Sequence, residues 1–289
     1  MKKTVLAACT AAFIALLTAL SSFAGTTEHT LRSQGIVREY KLYVPENLPA
    51  GAPLVIVLHG YGGSNDPDRF GMNAAADRHG FAVCYPLGTK DSKGKTGWNV
   101  GYPSQKGMKT DDIKFLGQLK KHLCRTYGFS SGNVFCTGMS NGGDICYLIA
   151  SLRPDLFAAL APVAGFMSVE TMRTDRSKRP VPLFEIHGTA DKTTRWYGDP
   201  DNEDGWGAYV PVPSAVQYWA AKGRCIRLER DTLARRTPED LQVIAHRYTD
   251  GTDGTEVWLY ESVGGKHSWA KTGTDTCESI WDFFSRYVK

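Results

Sequence analysis

The chain has 289 residues, of which 42% are hydrophobic, 22% charged and 11% aromatic. This composition is typical of a folded globular protein and excludes a disordered or collagen-like chain. The formal net charge of +4 is too small to indicate nucleic acid as the partner.

The first 24 residues have the pattern of a secretory signal peptide. Lysines follow the first Met, an apolar run spans Val5–Leu20, and Ser22-Phe23-Ala24 supplies small residues for cleavage. We therefore predict that residues 1–24 are removed and that the mature chain, residues 25–289, is secreted or periplasmic. A membrane-spanning helix would need about 20 apolar residues, and the apolar region before Cys9 is too short for a lipid-modified cysteine.

Beyond the leader, short apolar, β-branched runs alternate with helical patterns. The predicted strands are Tyr40–Val44, Leu54–Leu58, Phe81–Tyr85, Val134–Thr137, Ala159–Val163, Leu183–His187, Val243–Tyr248 and Val257–Ser262. The clearest helical patterns are Asp111–Tyr127, Gly142–Ser151, Ser214–Lys222 and Thr276–Tyr287. The alternation predicts a single α/β domain with a mostly parallel central sheet and helices on both faces.

A glycine-rich turn, His59-Gly60-Tyr61-Gly62-Gly63, follows the strand Leu54–Leu58. A turn of this kind delivers a backbone N–H to an oxyanion hole. We assign that donor to Tyr61, with an ordinary glycine-rich turn as the alternative.

The pentapeptide Gly138-Met139-Ser140-Asn141-Gly142 matches G-x-S-x-G, the sharp strand-to-helix turn that presents a nucleophilic serine. The strand pattern Val134–Thr137 precedes it and the helical pattern Gly142–Ser151 follows it, as the motif requires. We predict Ser140 as the nucleophile and the backbone N–H of Asn141 as the second oxyanion donor.

A nucleophilic serine needs a base and a carboxylate that orients the base, and an α/β-hydrolase carries them in the order Ser, acid, His. Asp191 lies just past the strand Leu183–His187, and His267 lies in a glycine-rich loop past Val257–Ser262. We predict Asp191 as the acid and His267 as the base. A turn aspartate and a loop histidine are the alternatives.

Two other histidines are weaker candidates for the base. His187 is too close in sequence to Asp191 to serve easily as its partner, so we expect it to support the loop. His246 lies inside an alternating strand pattern, where it faces solvent or a neighbouring strand.

The longest irregular stretch, Lys192–Pro213, is rich in aromatic residues, which predicts a wall or lid of a binding site. A surface loop that its aromatics hold in place is the alternative. Four tryptophans could stack on a substrate ring, with half-buried packing as the alternative: Trp98, Trp196, Trp206 and Trp269.

The mature chain carries six cysteines, Cys84, Cys124, Cys136, Cys146, Cys225 and Cys277. Export would permit disulfides, whereas the apolar surroundings of several of them favour buried thiols, so the pairing stays open. No cysteine or histidine spacing indicates zinc. The acidic run from Asp199 lacks the glycine and final carboxylate of a calcium loop.

Five segments together resemble the secreted α/β-hydrolases of the polyhydroxybutyrate depolymerase and feruloyl esterase group, which overlaps carbohydrate esterase family 1. They are Leu58-His59-Gly60-Tyr61-Gly62-Gly63, Gly97-Trp98-Asn99, Gly138-Met139-Ser140-Asn141-Gly142-Gly143, His187-Gly188-Thr189-Ala190-Asp191 and Gly265-Lys266-His267-Ser268-Trp269. The resemblance implies the same triad and oxyanion residues.

It also implies cleavage of feruloyl, acetyl or hydroxyalkanoate esters without a metal or organic cofactor. We expect a feruloyl esterase that acts on plant cell-wall polysaccharide or its fragments. An acetyl xylan esterase and a polyhydroxybutyrate depolymerase-like esterase are alternatives with the same triad. A peptidase and a non-catalytic binding module are weaker ones, because nothing indicates an amine leaving group and the triad types are intact.

Overall fold

A computed structural model describes residues 25–289, so the predicted leader lies outside the described residues. In this part of the chain, ten strands form one sheet in the order β1-β2-β4-β3-β7-β8-β9-β12-β11-β10. They are β1 Gly25–Ser33, β2 Ile36–Val44, β3 Leu54–Leu58, β4 Ala82–Pro86, β7 Val134–Met139, β8 Leu160–Val163, β9 Leu183–Gly188, β10 Arg227–Thr232, β11 Val243–Thr249 and β12 Val257–Ser262. The short strands β5 Thr89–Lys90 and β6 Thr96–Gly97 pair separately.

The strands from β4 to β12 in this order run parallel to their neighbours. Antiparallel strands continue the sheet at both edges, β2 and β1 on one side and β11 and β10 on the other. The prediction of a mostly parallel central sheet is confirmed.

Six α-helices of the described chain are α1 Met72–His79, α2 Asp112–Tyr127, α3 Asn141–Leu152, α4 Val169–Thr174, α5 Val212–Lys222 and α6 Thr276–Ser285. Asp111 caps helix α2, because its side chain accepts a hydrogen bond from the Lys114 N–H at 2.9 Å, and the helix ends at Gly128 in the left-handed region. Within residues 25–289 no helix has the length and apolarity to cross a membrane.

Two apolar cores cover the two faces of the sheet, which explains why the central strands read as continuous apolar runs. In β3, Leu54 and Ile56 face the core shared with α2, α3 and α5. Val55 and Val57 face the core shared with α1 and α6. Helices therefore lie on both faces, as predicted.

The sequence patterns missed the edge strands β1 and β10 and the short helices α1 and α4. Strand β10 is almost wholly exposed and polar, and β1 alternates half-buried with exposed residues over most of its length, so neither carries the apolar signal of a central strand. Strand β2 begins at Ile36, before the predicted Tyr40, because that end pairs only with the edge strand β1.

The parallel strands bring four loops together at one side of the sheet, where the carboxyl ends of the strands lie. The turns after β3, β7, β9 and β12 all leave the carboxyl ends of parallel neighbours in this sheet. Ligands of open α/β sheets bind at these carboxyl ends.

Candidate active site

Ser140 lies at a strained turn between β7 and α3, with φ 56° and ψ −123°. Such a conformation costs a non-glycine residue about 1–3 kcal/mol and is typical of functional sites. The backbones here are too close for side chains: a Cβ on Gly138 would lie 2.5 Å from the Gly142 carbonyl oxygen, and one on Gly142 would lie 2.3 Å from that of Leu58. Both motif glycines are therefore sterically required.

Asp191 and His267 lie in direct contact, with 2.7 Å between Asp191 Oδ2 and His267 Nδ1. Asp191 Oδ1 also accepts the N–H groups of Thr193 and Thr194, at 2.8 and 3.0 Å. Burial raises the pKa of Asp191, but its hydrogen bond and charge interaction with His267, followed by His187, lower it overall. An ionised Asp191 holds the proton of His267 on Nδ1 and leaves Nε2 as the nitrogen that can accept one.

The oxyanion turn, residues 59–63, crosses over the nucleophile. A Cβ on Gly60 would lie 3.3 Å from Ser140 Cβ and 3.8 Å from its Oγ. Within residues 25–289, the N–H groups of Tyr61 and Asn141 have no protein acceptor. Two unpaired donors beside the serine are what a developing oxyanion needs.

His59 fixes the shape of the oxyanion turn. Its Nε2 accepts the Gly88 N–H at 2.9 Å, so Nδ1 carries the proton and donates to the Gly60 carbonyl oxygen at 2.7 Å. Burial lowers the pKa of His59, which favours this neutral form. His59 thus supports the turn without contacting a substrate.

The Asn141 side chain clamps the backbone of Trp98. Its Oδ1 accepts the Trp98 N–H at 2.6 Å, and its Nδ2 donates to the Trp98 carbonyl oxygen at 3.0 Å. The Trp98 indole in turn donates to the His59 carbonyl oxygen at 2.9 Å. The Gly97-Trp98-Asn99 motif therefore joins the strand-to-helix turn at Ser140 to the oxyanion turn.

Replacing Asn141 by alanine is expected to lower the free energy of unfolding by about 2–4 kcal/mol, because the buried Trp98 N–H loses its partner and the Trp98 carbonyl oxygen keeps only the Gln105 side chain, at 2.7 Å. Urea denaturation measures this loss. Asn99→Ala is the matched control, since it removes one half-buried bond to the Thr110 carbonyl oxygen. Equal losses in the two variants would contradict the role of the clamp.

Three of the four tryptophans predicted to stack on substrate are buried, so that prediction is wrong for them. Trp98 is 0% exposed, Trp269 6% and Trp196 7%, which leaves no ring face for a ligand. The Trp269 indole instead donates to the Phe70 carbonyl oxygen at 2.8 Å. The alternative reading of these residues as packing residues is the correct one.

Trp206 is half-buried and lies beside the oxyanion turn. Its ring centroid is 5.4 Å from that of Tyr61 and 5.2 Å from that of Tyr102. The hydroxyl of Tyr61 donates to Asp91 at 2.6 Å, which anchors the far end of that ring. Trp206 and Tyr61 form what we call the aromatic wall.

Local polar contacts fix the irregular stretch 192–213 that supplies Trp206. The Asp199 carboxylate accepts the N–H groups of Glu203 and Asp204, each at 2.9 Å. The Arg195 guanidinium pairs with both of these acidic side chains at 2.6 Å. The calcium-like acidic run thus closes its own turn, while a lid function of the segment stays a prediction.

A cavity of about 650 Å³ adjoins the base, with His267, Lys266, Lys271, Ala270 and Leu241 among its lining residues. None of its lining residues belongs to the oxyanion turn or to the strand-to-helix turn at Ser140. The cavity therefore borders the proposed base and lies apart from the oxyanion turn and the Ser140 turn.

Two buried acidic residues near the site were not among the predicted site residues. Glu185 interrupts the apolar run of β9, and Asp144 lies in the first turn of α3. Burial raises the pKa of both carboxyls. A charged residue inside an otherwise apolar strand was the signal that could have identified Glu185.

The six cysteines of residues 25–289 are all free thiols, four of them buried. Burial raises the pKa of Cys277 to about 12, which makes its thiolate scarce. In the same part of the chain no group of three or more side chains is placed to hold a metal ion.

Residues 38–178 match the family model of the esterase PHB depolymerases. The chain is 31% identical over 164 residues to the bifunctional acetylxylan esterase/xylanase XynS20E of Neocallimastix patriciarum, covering 55% of this chain and 22% of that protein. It is 28% identical over 127 residues to feruloyl esterase B of Talaromyces funiculosus, covering 43% of this chain and 35% of that protein. The chain thus spans about a third or less of both relatives.

The fold is similar to that of the acetyl xylan esterase from Aspergillus awamori. The TM-score is 0.63 at 16% identity, covering 90% of this chain and 99% of that one. At this identity the likeness shows the shared α/β-hydrolase fold.

Proposed function

We propose that this protein is a serine carboxylic-ester hydrolase that acts through an acyl-enzyme on Ser140, and the match of residues 38–178 to the family model of the esterase PHB depolymerases supports this proposal. The observation that carries the proposal is the 2.7 Å contact between Asp191 and His267 at the sheet edge that bears the Ser140 turn. No cofactor takes part in the proposed reaction.

In the first half of the reaction, His267 Nε2 takes the proton of Ser140 while Oγ attacks the ester carbonyl carbon. The carbonyl oxygen becomes an oxyanion, which accepts hydrogen bonds from the N–H groups of Tyr61 and Asn141. The carbon–oxygen bond to the alcohol then breaks, and His267 protonates the departing alkoxide. Water, activated by His267, repeats these steps to release the acid.

We propose a feruloyl ester as the preferred substrate. The aromatic wall offers a ring face beside Tyr61, the residue that supplies one oxyanion donor, so a hydroxycinnamoyl ring would lie next to its own carbonyl group. The cavity next to His267 would then take the alcohol side, a feruloylated plant polysaccharide or its fragments.

An acetyl xylan esterase is the second candidate. The similarity to XynS20E supports it, and an acetyl group needs no aromatic wall. A depolymerase-like esterase has the support of the family match. A peptidase has no feature in its favour, and a binding module would not need the strained Ser140 turn.

We also propose that residues 1–24 are a signal peptide, that residues 25–289 form one catalytic domain, and that the mature protein is secreted or periplasmic. The ten-stranded sheet supports a single domain, because it joins strands from Gly25 to Ser262.

The substrate proposal is tested by hydrolysis of methyl ferulate and 4-nitrophenyl acetate. We expect Trp206→Ala to lower kcat/KM for methyl ferulate about 10-fold, because the ferulate ring loses its stacking surface, and to leave acetate cleavage within about threefold. Tyr197→Ala is the matched control on the same segment, since this side chain is 80% exposed.

Acetate cleavage without ferulate release would favour the acetyl xylan esterase. Ferulate release that Trp206→Ala leaves unchanged would keep the feruloyl esterase but remove the aromatic wall as its acyl site. A wild-type protein that cleaves neither ester would leave the non-catalytic binding module as the remaining candidate.

A further inference from the structure

A second carboxylate–imidazole pair lies directly behind Asp191. The side chains of Glu185 and His187, both in β9, are 0% exposed. His187 Nδ1 lies 2.8 Å from Glu185 Oε1, and its Nε2 lies 2.8 Å from the Thr194 carbonyl oxygen. The same Nε2 is 3.6 Å from Asp191 Oδ2. The imidazole thus connects a buried carboxylate to the one that orients His267.

The partners of His187 determine where its protons lie. A carbonyl oxygen only accepts, so Nε2 carries a proton and donates it to Thr194. The other groups that reach the Glu185 carboxylate are donors, the Tyr147 hydroxyl at 3.0 Å and the Gly165 N–H at 3.3 Å. An ionised Glu185 therefore faces a protonated Nδ1. Although burial lowers the pKa of His187, its hydrogen bond and charge interaction with Glu185 raise it overall.

Several acidic groups surround this one buried ring. They are Asp144 on α3, Glu185 in β9, Asp191 in the loop after β9, and Glu261 of β12, which lies in register with His187 and pairs with His246 at 2.8 Å. The Trp196 ring lies edge-on to the imidazole at 6.1 Å. In such a water-poor site a positive imidazole stabilises neighbouring carboxylates strongly.

We propose that Glu185 and His187 are positioning residues of the esterase reaction, which hold Asp191 in the place and charge state that the triad requires. The inference rests on the proposed function. The Nε2–H side of the positive His187 ring faces Asp191 Oδ2. The Glu185 carboxylate, at Nδ1 on the opposite side, balances the charge of the ring. The positive ring partly neutralises the field of the Asp191 carboxylate, so Asp191 attracts a proton on His267 less strongly. His267 can therefore act as a base at lower pH.

The test compares the pH dependence of kcat/KM for 4-nitrophenyl acetate in the full-length mature protein. The variants are His187→Gln, Glu185→Gln and the double variant, with active enzyme counted by fluorophosphonate labelling. His79→Gln is the matched control, because it removes the imidazole of the His79–Glu278 pair, which joins α1 to α6 at the surface.

We expect the acid limb of the profile to move up by about half a pH unit in His187→Gln, because the positive ring beside Asp191 is lost and the fully buried Glu185, without its partner, takes up a proton. We expect the same shift in Glu185→Gln and in the double variant, because removing either residue removes both charges of the pair. KM should stay within about twofold of wild type, and His79→Gln should leave the limb in place.

A limb in His187→Gln that coincides with wild type would overturn the inference, even if kcat fell. A double variant whose limb moves by the sum of the two single shifts would do the same, since the loss of one charge pair cannot count twice. If His187→Gln is not labelled, Glu185→Gln decides: an upward shift supports the inference and an unmoved limb overturns it. A wild-type protein that cleaves no ester would overturn the proposed function as well.

Discussion

Ser140→Ala is expected to abolish ester hydrolysis, with kcat falling by about 10⁴-fold or more, because no other group can form the acyl-enzyme. The oxyanion donors are backbone N–H groups and stay in place, so only a small residual rate should remain. The measurement is the initial rate of 4-nitrophenyl acetate cleavage, together with fluorophosphonate labelling.

The variant should fold normally, because alanine fills the same strained turn with a smaller side chain. Ser131→Ala, in an exposed loop, is the matched control and should keep full activity and labelling. Labelling that persists in Ser140→Ala would place the nucleophile elsewhere.

Asp191→Asn is expected to lower kcat by about 10⁴-fold while leaving KM nearly unchanged. The Asn amide oxygen can still accept the N–H groups of Thr193 and Thr194, so its NH₂ group would face His267 Nδ1. Nδ1 must then accept a hydrogen bond, the ring proton moves to Nε2, and the base can no longer take the proton of Ser140.

The measurement is kcat and KM for 4-nitrophenyl acetate near neutral pH. Asp204→Asn is the matched control, because Asp204 pairs with Arg195 away from the triad. A loss of less than about tenfold in Asp191→Asn would show that the orientation of His267 does not depend on this carboxylate.

The order of the local motifs predicted much of the fold and the positions of the candidate triad. The strands β3, β7, β9 and β12 are mostly apolar because both of their faces are covered, so the sequence marked them clearly. Each predicted catalytic residue follows one of these strands, and parallel strands bring such loops to one edge. The proximity of Asp191 and His267 follows from that topology.

The sequence could not show which side chains face a substrate. An aromatic residue near a motif has the same local pattern whether it packs inward, as Trp98 does, or borders the site, as Trp206 does. Burial depends on elements distant in the chain, such as the Asn141 side chain that clamps Trp98.

By itself, the sequence determined the α/β fold class, the strand-to-helix turn at Ser140 and the order of the proposed acid and base, because these follow from local periodicity and turn chemistry. Tertiary structure alone decided that Trp98, Trp196 and Trp269 are buried and that Glu185 and His187 lie behind Asp191. Their roles depend on desolvation and on contacts between strands and loops far apart in the chain, which no local pattern encodes.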